Sequence, residues 1–378
     1  GDVLVLLGDT PMITTQTLWH LIQARHEAMD VGIAVLAAEM GNPTGYGRLL
    51  LDKDGNVHAI REEKDASPEE KQVRLVNTGA FCMDSKRLER WLGGLNNRNA
   101  QKEFYITDLP EIAAQDGYKT RVHITFDNDE VRGCNTRAEL FALERIAQQR
   151  MRDHFMDRGV AMQDPQTVYF HFDTVLGEDV VIEPNVYFGP GVEVGDKTRI
   201  RAFSHLEGVK IGKNATIGPF ARIRPGTTLG DDVRIGNFVE IKKSSLGDRS
   251  KVSHLGYVGD AMLGEDVNFG CGAITVNYDG FEKHNTIIGK GVMVGSNSNL
   301  IAPLIIDDGA FIAAGSTITQ NVPADALSVS RAKEEVRKGW AAIYRRKKTE
   351  RKARKPAPQN KTAETAEKKK PEREKVGS

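Results

Sequence analysis

Residues 211–241 read IGKNATIGPFARIRPGTTLGDDVRIGNFVEI and carry an aliphatic residue at every sixth position. The same period runs from Leu176 to Ile318, with single-residue slips and one break before Ile288. Glycine often follows the aliphatic residue, which suits a corner that needs unusual dihedral angles or close backbone approach. Each hexapeptide is expected to form a short strand and a turn, and three of them to close one coil. The sequence therefore predicts a parallel β-helix with a continuous aliphatic core.

The formal net charge of zero over 378 residues conceals a division of charge. Arg345–Ser378 holds 14 Lys and Arg against 5 Glu, so the rest of the chain keeps 38 basic and 47 acidic residues, and the two parts carry +9 and −9. This tail has almost no apolar residues and is predicted to be disordered. A solvated tail is the preferred interpretation, with weak electrostatic contact to nucleic acid as the alternative.

Cysteine content and hydropathy indicate the class of protein. Cys82, Cys134 and Cys271 are scattered and odd in number, which argues against a secretory disulfide framework. No stretch approaches the ~20 apolar residues of a membrane span, and the opening GDVLVLLGDTP does not resemble a signal peptide. We expect a cytoplasmic protein without membrane contact.

The first 136 residues lack the hexapeptide period. Val3–Leu7 has the pattern of a buried strand, Thr15–Ala28 that of a helix and Val31–Ala38 that of the next strand. This order predicts a mostly parallel, Rossmann-like α/β sheet that binds ligands at the carboxyl ends of its strands. Asp9 is expected at such an end, where it could bind Mg²⁺ or simply cap the following turn.

A long amphipathic helix is predicted from Thr136 to about Arg158, ended by Gly159, as a rigid spacer. Its apolar face is expected to carry Leu140, Leu143 and other aliphatic residues. The predicted domains are then residues 1–136 (α/β), 137–160 (linker helix), 161–340 (β-helix) and 341–378 (tail).

Three segments interrupt the repeat with charged and aromatic groups: NFVEIKK (237–243), SHLGYVGD (253–260) and NFGCGAITVNYDGFEK (268–283). Such interruptions are where a repeat protein builds a site. His254 is the only imidazole among them, and an ordinary histidine pKa near 6.5 suits a general base. Glu240, fourteen residues earlier, is expected to orient it. The residues alone leave a surface or stacking histidine as the alternative.

The motifs in their order resemble one family. In the first part these are GDTP (8–11), PTGYGR (43–48), EEKD (62–65), VNTG (76–79), FYITD (104–108) and GCNT (133–136), and the three interrupting segments follow. The chain resembles, from Gly8 to about Trp340, the bifunctional N-acetylglucosamine-1-phosphate uridyltransferase and glucosamine-1-phosphate N-acetyltransferase family. The resemblance implies that the β-helix is left-handed and trimerises, with sites shared between chains.

For the first half, the resemblance implies a partial nucleotidyltransferase domain that takes UTP. The implied UDP-N-acetylglucosamine-binding residues are Gly8, Asp9, Gly47, Glu62, Asn77, Tyr105, Thr107 and Asn135, of which Asp9 and Asn135 hold Mg²⁺. Family members begin with a longer stretch containing a G-x-G-T-R-M loop and a later lysine, and neither precedes Asp9 here. Because that loop positions and neutralises the triphosphate, the sequence is expected to be N-terminally truncated and weak in uridylyl transfer.

For the second half, the resemblance implies acetyl transfer from acetyl-CoA to glucosamine 1-phosphate, a step in UDP-N-acetylglucosamine biosynthesis. Two positions depart from the family pattern: Cys271 stands where alanine is usual, and Gly256 where a hydroxyl residue is usual. The implied residues are His254, Glu240 and Asn277 for catalysis, Arg224, Lys242, Tyr257, Asn268, Tyr278 and Lys283 for the sugar phosphate, and Cys271, Ser296, Ala314 and Arg331 for acetyl-CoA.

The sequence allows three other interpretations. β-Helical carbonic anhydrases bind zinc through three histidines, but His205 and His284 lie on other turns than His254. A nucleotidyltransferase with the repeat as an oligomerisation scaffold is disfavoured by the absent glycine-rich loop. A non-catalytic trimeric scaffold or relic fragment has no reason to keep so many charged groups, and acetyl transfer is therefore preferred.

Overall fold

The computed structural model describes residues 1–353. Its first part is a six-stranded sheet in the order β4-β3-β5-β2-β6, with β1 also paired to β5. The elements are β1 (Asp2–Val5), α1 (Thr15–Arg25), β2 (Val31–Glu39), β3 (Arg48–Leu51), β4 (Val57–Arg61), β5 (Leu75–Asp84), α2 (Ser85–Leu92), α3 (Leu109–Gln115) and β6 (Lys119–Thr125), with short 3₁₀ turns at Glu70–Gln72, Ile106–Asp108 and Asn128–Val131.

The sheet differs from the predicted parallel arrangement. Only β2 and β6 pair in parallel, whereas β1 with β5, β2 with β5, β3 with β4 and β3 with β5 are antiparallel. The expectation of a buried first strand is also wrong, because Leu4, Leu6 and Leu7 are 38%, 45% and 47% exposed. Among the described residues β1 pairs with β5 alone, so it lies at an edge. An apolar run cannot by itself distinguish an edge strand from a central one.

The connecting helix α4 (Arg137–Asp157) begins with a capping box between Thr136 and Glu139. Its buried face is partly polar, which the sequence did not predict. The Gln148 amide donates to the carbonyl of Phe170 at 2.6 Å and accepts its backbone N–H at 2.9 Å, and Arg152 Nε donates to the carbonyl of Val168 at 3.2 Å. Leu140, predicted on the apolar face, is exposed. The helix is therefore fixed to the first coil by hydrogen bonds to the carbonyls and N–H groups of its backbone.

The rest is a left-handed parallel β-helix of about nine turns, which confirms the predicted fold class. Each coil contributes strands to three sheets, named here the first, second and third faces. The first face contains Val175–Leu176, Glu193–Val194, Val209–Ile211, Thr227–Leu229, Ser245–Leu246, Ala261–Leu263, Thr286–Ile288 and Leu304–Ile306. The second contains Ala161–Met162, Val181–Ile182, Arg199–Ile200, Thr216–Ile217, Arg234–Asn237, Lys251–His254, Asn268–Phe269, Met293–Val294, Phe311–Ile312 and Leu327–Ser328. The third contains Tyr187–Phe188, His205–Leu206, Arg222–Ile223, Glu240–Lys242, Tyr257–Gly259, Ile274–Val276, Asn299–Ile301 and Thr317–Ile318.

The period-six aliphatic residues form one continuous core along the solenoid axis. Burying one such side chain contributes roughly 1.5–3 kcal/mol, so the stack holds the faces in register. The glycines that follow are explained by close approach: a Cβ on Gly195 would lie 2.7 Å from the carbonyl carbon of Gly212 in the next coil. Positive φ angles fall mostly on later corner residues such as Lys197, at +57°, and Gly218, which follows Ile217, is an exception at +92°.

A second unit begins at Ser330, and its described part, 330–353, contains helix α5 (Trp340–Ala353). The predicted disorder of Arg345–Ser378 is therefore wrong up to Ala353, where a ring stack of Trp340 on Tyr344 and an Arg346–Glu350 ion pair support helical structure. The remainder of the predicted tail, 354–378, lies outside the described residues. Within 1–353, no helix has the length and apolarity to cross a bilayer.

Candidate active site

One corner of the solenoid, between the second and third faces, brings several predicted residues into a single line. The carbonyls of Asn237, His254, Cys271 and Ser296 accept hydrogen bonds from Leu255, Gly272, Asn297 and Gly315, at 2.8–3.3 Å. In each pair, the donor N–H belongs to the residue that directly follows the corresponding corner position of the next coil; Leu255, for example, follows His254. We call Asn237, His254, Cys271, Ser296 and Ala314 the corner column.

The residues at the outermost corner positions are large and apolar in the earlier coils and smaller in the later ones. They are Phe203, Phe220, Phe238 and Leu255, then Gly272, Asn297 and Gly315, all with positive φ. The three phenylalanine rings stack with centroids 4.9 and 5.2 Å apart. The corner therefore carries bulky side chains up to His254, and two glycines and an asparagine beyond it, where the Asn297 side chain lies over Gly272.

The His254 imidazole has a different partner from the one predicted. Its Nδ1 lies 2.9 Å from Asn237 Oδ1, while the Glu240 carboxylate accepts from Arg224 at 2.8 Å. The expectation that Glu240 orients His254 is thus corrected. The register explains the difference: one coil is 17 residues here, which pairs Asn237 with His254 and Glu240 with Tyr257.

A group of cations lies on the outer side of the third face. Arg224 and Lys242 flank Glu240, and Lys283 reaches Lys242 from the following loop. Contact with the Lys242 ammonium, and repulsion by it, lowers the pKa of Lys283. Two ammonium groups held side by side are suited to an anion with two negative charges.

The loop 277–285 connects the third face to the first and supplies the remaining groups. Asn277 is buried, and its Nδ2 donates to Asp260 Oδ2 at 2.5 Å and to the Tyr257 hydroxyl at 3.4 Å. The Asp279 carboxylate accepts from the backbone N–H groups of Phe281 and Glu282 and contacts His284 at 2.8 Å, so it fixes the turn. Tyr278, which opens the turn, is exposed.

Asn268 does not join this group within the described part of one chain. Asn268 lies on the second face, paired in register with Lys251 and Met293, and its amide contacts Met293 Sδ. Arg331 belongs to the second unit, which begins at Ser330.

Five of the eight predicted residues of the α/β part lie near β3 and β5. Thr107 Oγ1 donates to Glu62 Oε1 at 2.9 Å, a Cβ on Gly47 would lie 3.3 Å from the same oxygen, and the Asn77 N–H donates to the Gly47 carbonyl at 2.8 Å. Glu62 and Tyr105 line a cavity of about 440 Å³. This arrangement could take a small polar ligand.

Asp9 and Asn135 approach each other across Gly133. A Cβ built on Gly133 would lie 3.8 Å from Asp9 Oδ2 and 3.9 Å from Asn135 Nδ2, and space around Gly8 is open. Mg²⁺ is usually held by one or two protein oxygens together with water and phosphate, so the pair fits that ion. The described residues contain no group of three His, Cys, Asp or Glu side chains that could hold a metal alone.

Asn237 and Asp260 are site residues that sequence reasoning missed. Each precedes its partner, His254 or Asn277, by 17 residues. The available signal was the coil length: a polar residue one coil before a candidate residue is its neighbour in space.

Comparison with known proteins agrees with the fold. The model of the bacterial transferase hexapeptide (six repeats) matches residues 173–208, 208–243 and 285–320. The bifunctional protein GlmU of Paramagnetospirillum magneticum is 43% identical over 94% of this chain and 79% of its own length. That of Agrobacterium fabrum is 46% identical over 94% and 78%, and that of Bradyrhizobium sp. is 47% identical over 92% and 77%. The chain belongs to the GlmU family of bifunctional proteins, and the prediction that it is a transferase of that family is confirmed.

Proposed function

We propose that the β-helix transfers the acetyl group of acetyl-CoA to the amine of glucosamine 1-phosphate, within UDP-N-acetylglucosamine biosynthesis. The observation that carries the proposal is the corner column, in which the candidate base His254 is followed in successive coils by Cys271, Ser296 and Ala314. His254 takes a proton from the 2-ammonium group, the amine attacks the thioester carbonyl, and the C–S bond breaks to release coenzyme A and N-acetylglucosamine 1-phosphate.

Acetyl-CoA would lie along Cys271, Ser296 and Ala314. All three have small side chains, and consecutive strands of a sheet are about 4.8 Å apart, so the column offers a straight groove that ends at the imidazole. For Arg331, the acetyl-CoA-binding role that the resemblance implies is kept as a proposal.

Glucosamine 1-phosphate would lie on the third face. The paired ammonium groups of Lys242 and Lys283, with Arg224 nearby, suit its phosphate, and Tyr257 and Tyr278 offer hydroxyls to the sugar. Asn277, held by Asp260, would lie at the reacting centre. Glu240 fixes Arg224 through their ion pair and contributes through that arginine.

We propose a homotrimer with shared sites, supported by the position of Asn268. A site that includes both Asn268, on the second face, and Lys242, on the third, is readily completed by a neighbouring chain. Co-expression of His254→Ala and Asn268→Ala subunits tests this. If the two residues of one site come from different chains, mixed trimers regain activity that neither variant has; no gain would place both in one chain.

For the α/β part, we propose a sugar-nucleotide site with Mg²⁺ held by Asp9 and Asn135. The reaction that the resemblance implies for this part is uridylyl transfer from UTP to N-acetylglucosamine 1-phosphate. Pyrophosphate release from these two substrates measures it, and a rate unchanged in Asp9→Ala would contradict the proposed role of Asp9.

The test of acetyl transfer is thiol release from acetyl-CoA with glucosamine 1-phosphate, beside glucosamine 6-phosphate. Release should require the 1-phosphate, collapse in His254→Ala and persist in the matched control His205→Ala, whose ring stacks on Tyr187 away from the site. Absence of release from folded wild-type protein would favour the non-catalytic scaffold.

A further inference from the structure

Asn237 contacts the candidate base but has no role in the proposed reaction so far. It ends the strand Arg234–Asn237, and its partner in the adjacent strand is His254. Its Oδ1 lies 2.9 Å from His254 Nδ1. We propose that Asn237 is the positioning residue of the acetyltransferase, which holds the His254 ring in one tautomer and one orientation; the inference rests on the proposed acetyl transfer.

The contact determines which ring nitrogen can act as the base. A carbonyl oxygen only accepts, so Nδ1 must carry a hydrogen and donate it. The lone pair of the neutral ring is then on Nε2, which becomes the nitrogen able to take the substrate proton. Without the acceptor the ring can rotate and exchange tautomers, and only part of the population has a competent base.

The backbone brings these side chains together. A Cβ on the preceding residue, Gly236, would lie 1.8 Å from the backbone oxygen of Ser253, so only glycine permits the observed approach of the two strands. Asn237 is half-buried, whereas His254 is exposed.

The charged groups that share a cavity with the His254 ring are two arginines, and the hydrogen-bond partner of the ring is a neutral amide. Arg201 and Arg234 line the same cavity of about 380 Å³ as His254 and Asn237, and Cys271 follows in the next coil. Among the described residues no carboxylate lies within 4.0 Å of the ring nitrogens. The neutral amide of Asn237 therefore orients the ring without placing a negative charge beside it.

The experiment compares Asn237→Leu and Asn237→Asp with the matched control Asn299→Leu, an outward amide on the third face that contacts Thr317. Asn237→Leu should lower kcat about 10- to 100-fold, the order found when a functional histidine loses the partner that fixes it, with the KM for acetyl-CoA nearly unchanged. Asn237→Asp keeps the acceptor and adds a charge that favours imidazolium. It should therefore retain most of kcat while the acidic limb of the kcat/KM profile moves up by about one pH unit.

A double variant separates positioning from structural support. In a His254→Ala background, Asn237→Leu should cause no further loss, because its effect passes through the ring. Three results would overturn the assignment. They are an equal further loss of activity in the His254→Ala background, an unchanged kcat in folded Asn237→Leu, and a pH profile of kcat/KM in Asn237→Asp that does not move. An inactive wild type would instead refute the proposed acetyl transfer itself.

Discussion

Replacing Gly259 with alanine should damage substrate binding without unfolding the coil. The added Cβ would lie 2.3 Å from the Tyr257 hydroxyl oxygen and 2.6 Å from Cζ, where ordinary contact begins at 3.4 Å. The backbone at 259 cannot give way easily, because its N–H and carbonyl are both bonded to the buried Thr275 hydroxyl at 2.8 and 3.1 Å. The tyrosine ring must therefore move by about 1.1 Å, the difference between 2.3 and 3.4 Å.

A displacement of about 1 Å in a positioned group can cost on the order of 10²-fold in rate. We expect kcat/KM for glucosamine 1-phosphate to fall roughly 100-fold, while the KM for acetyl-CoA, whose groove follows the other corner, stays near the wild-type value. Thiol release at varied concentrations of each substrate measures both constants. Gly41→Ala, where a Cβ meets nothing within 4 Å, is the control for an unstrained glycine replacement. Unchanged constants for glucosamine 1-phosphate in folded Gly259→Ala would refute the placement of the sugar phosphate beside Tyr257.

Four further results are expected. Lys283→Met should raise the KM for glucosamine 1-phosphate at least about tenfold in the same assay, because one cation of the phosphate pair is lost; an unchanged KM would place the phosphate elsewhere. Alkylation should inactivate the enzyme through the half-exposed Cys271, with protection by acetyl-CoA and resistance in Cys271→Ala, whereas burial raises the pKa of Cys82 to about 11 and mass spectrometry should find it unmodified. Hydrogen bonds from the Glu282 N–H first, and then from His284 and Phe281, hold the pKa of Asp279 well below its ordinary 3.8, so the loop order it provides is complete above 3.8 and is lost only as pH falls through the lowered value. Asp279→Asn should thus raise the KM for the sugar phosphate at neutral pH, and an equal KM at pH 7 would show that the carboxylate does not order the site. Ile241→Ala, at a fully buried position, should lower the free energy of unfolding by roughly 2–5 kcal/mol in urea titration, and a loss below 1 kcal/mol would contradict the packed core.

The solenoid was predictable because its period depends on one local rule, an aliphatic residue at each inward position, which any coil must obey to be buried. The partner of His254 was not predicted correctly, since Glu240, fourteen residues earlier, lies three residues short of one coil, and Asn237 stands opposite His254 instead. Coil length, 17 residues at this point, had to be known before the contact could be assigned. The polar side of α4 was missed for a related reason: Gln148 is buried by hydrogen bonds to backbone groups, which a hydrophobic pattern does not record.

Strand direction in the first part was the least accessible feature. The succession of strand, helix and strand at the start is typical of parallel sheets, but β1 and β2 are not neighbours; each pairs with β5, a strand that occurs later in the sequence. Pairing of distant segments depends on the whole sheet rather than on either strand alone.

The corner column has a consequence for how long a donor the enzyme can hold. From His254 to Ala314 the column advances three coils. At about 4.8 Å for each strand spacing, it is about 14 Å long, with one column residue in every coil. The nine residues 277–285 form a loop at the corner between the third and first faces. They lengthen the chain between Cys271 and Ser296 without changing the spacing of the column residues. Duplicating one coil beyond His254 would lengthen the corner column by one strand spacing, about 4.8 Å, while every side chain kept its direction. In the proposed site, the length available to the donor would therefore change in whole coils, independently of the proposed base His254.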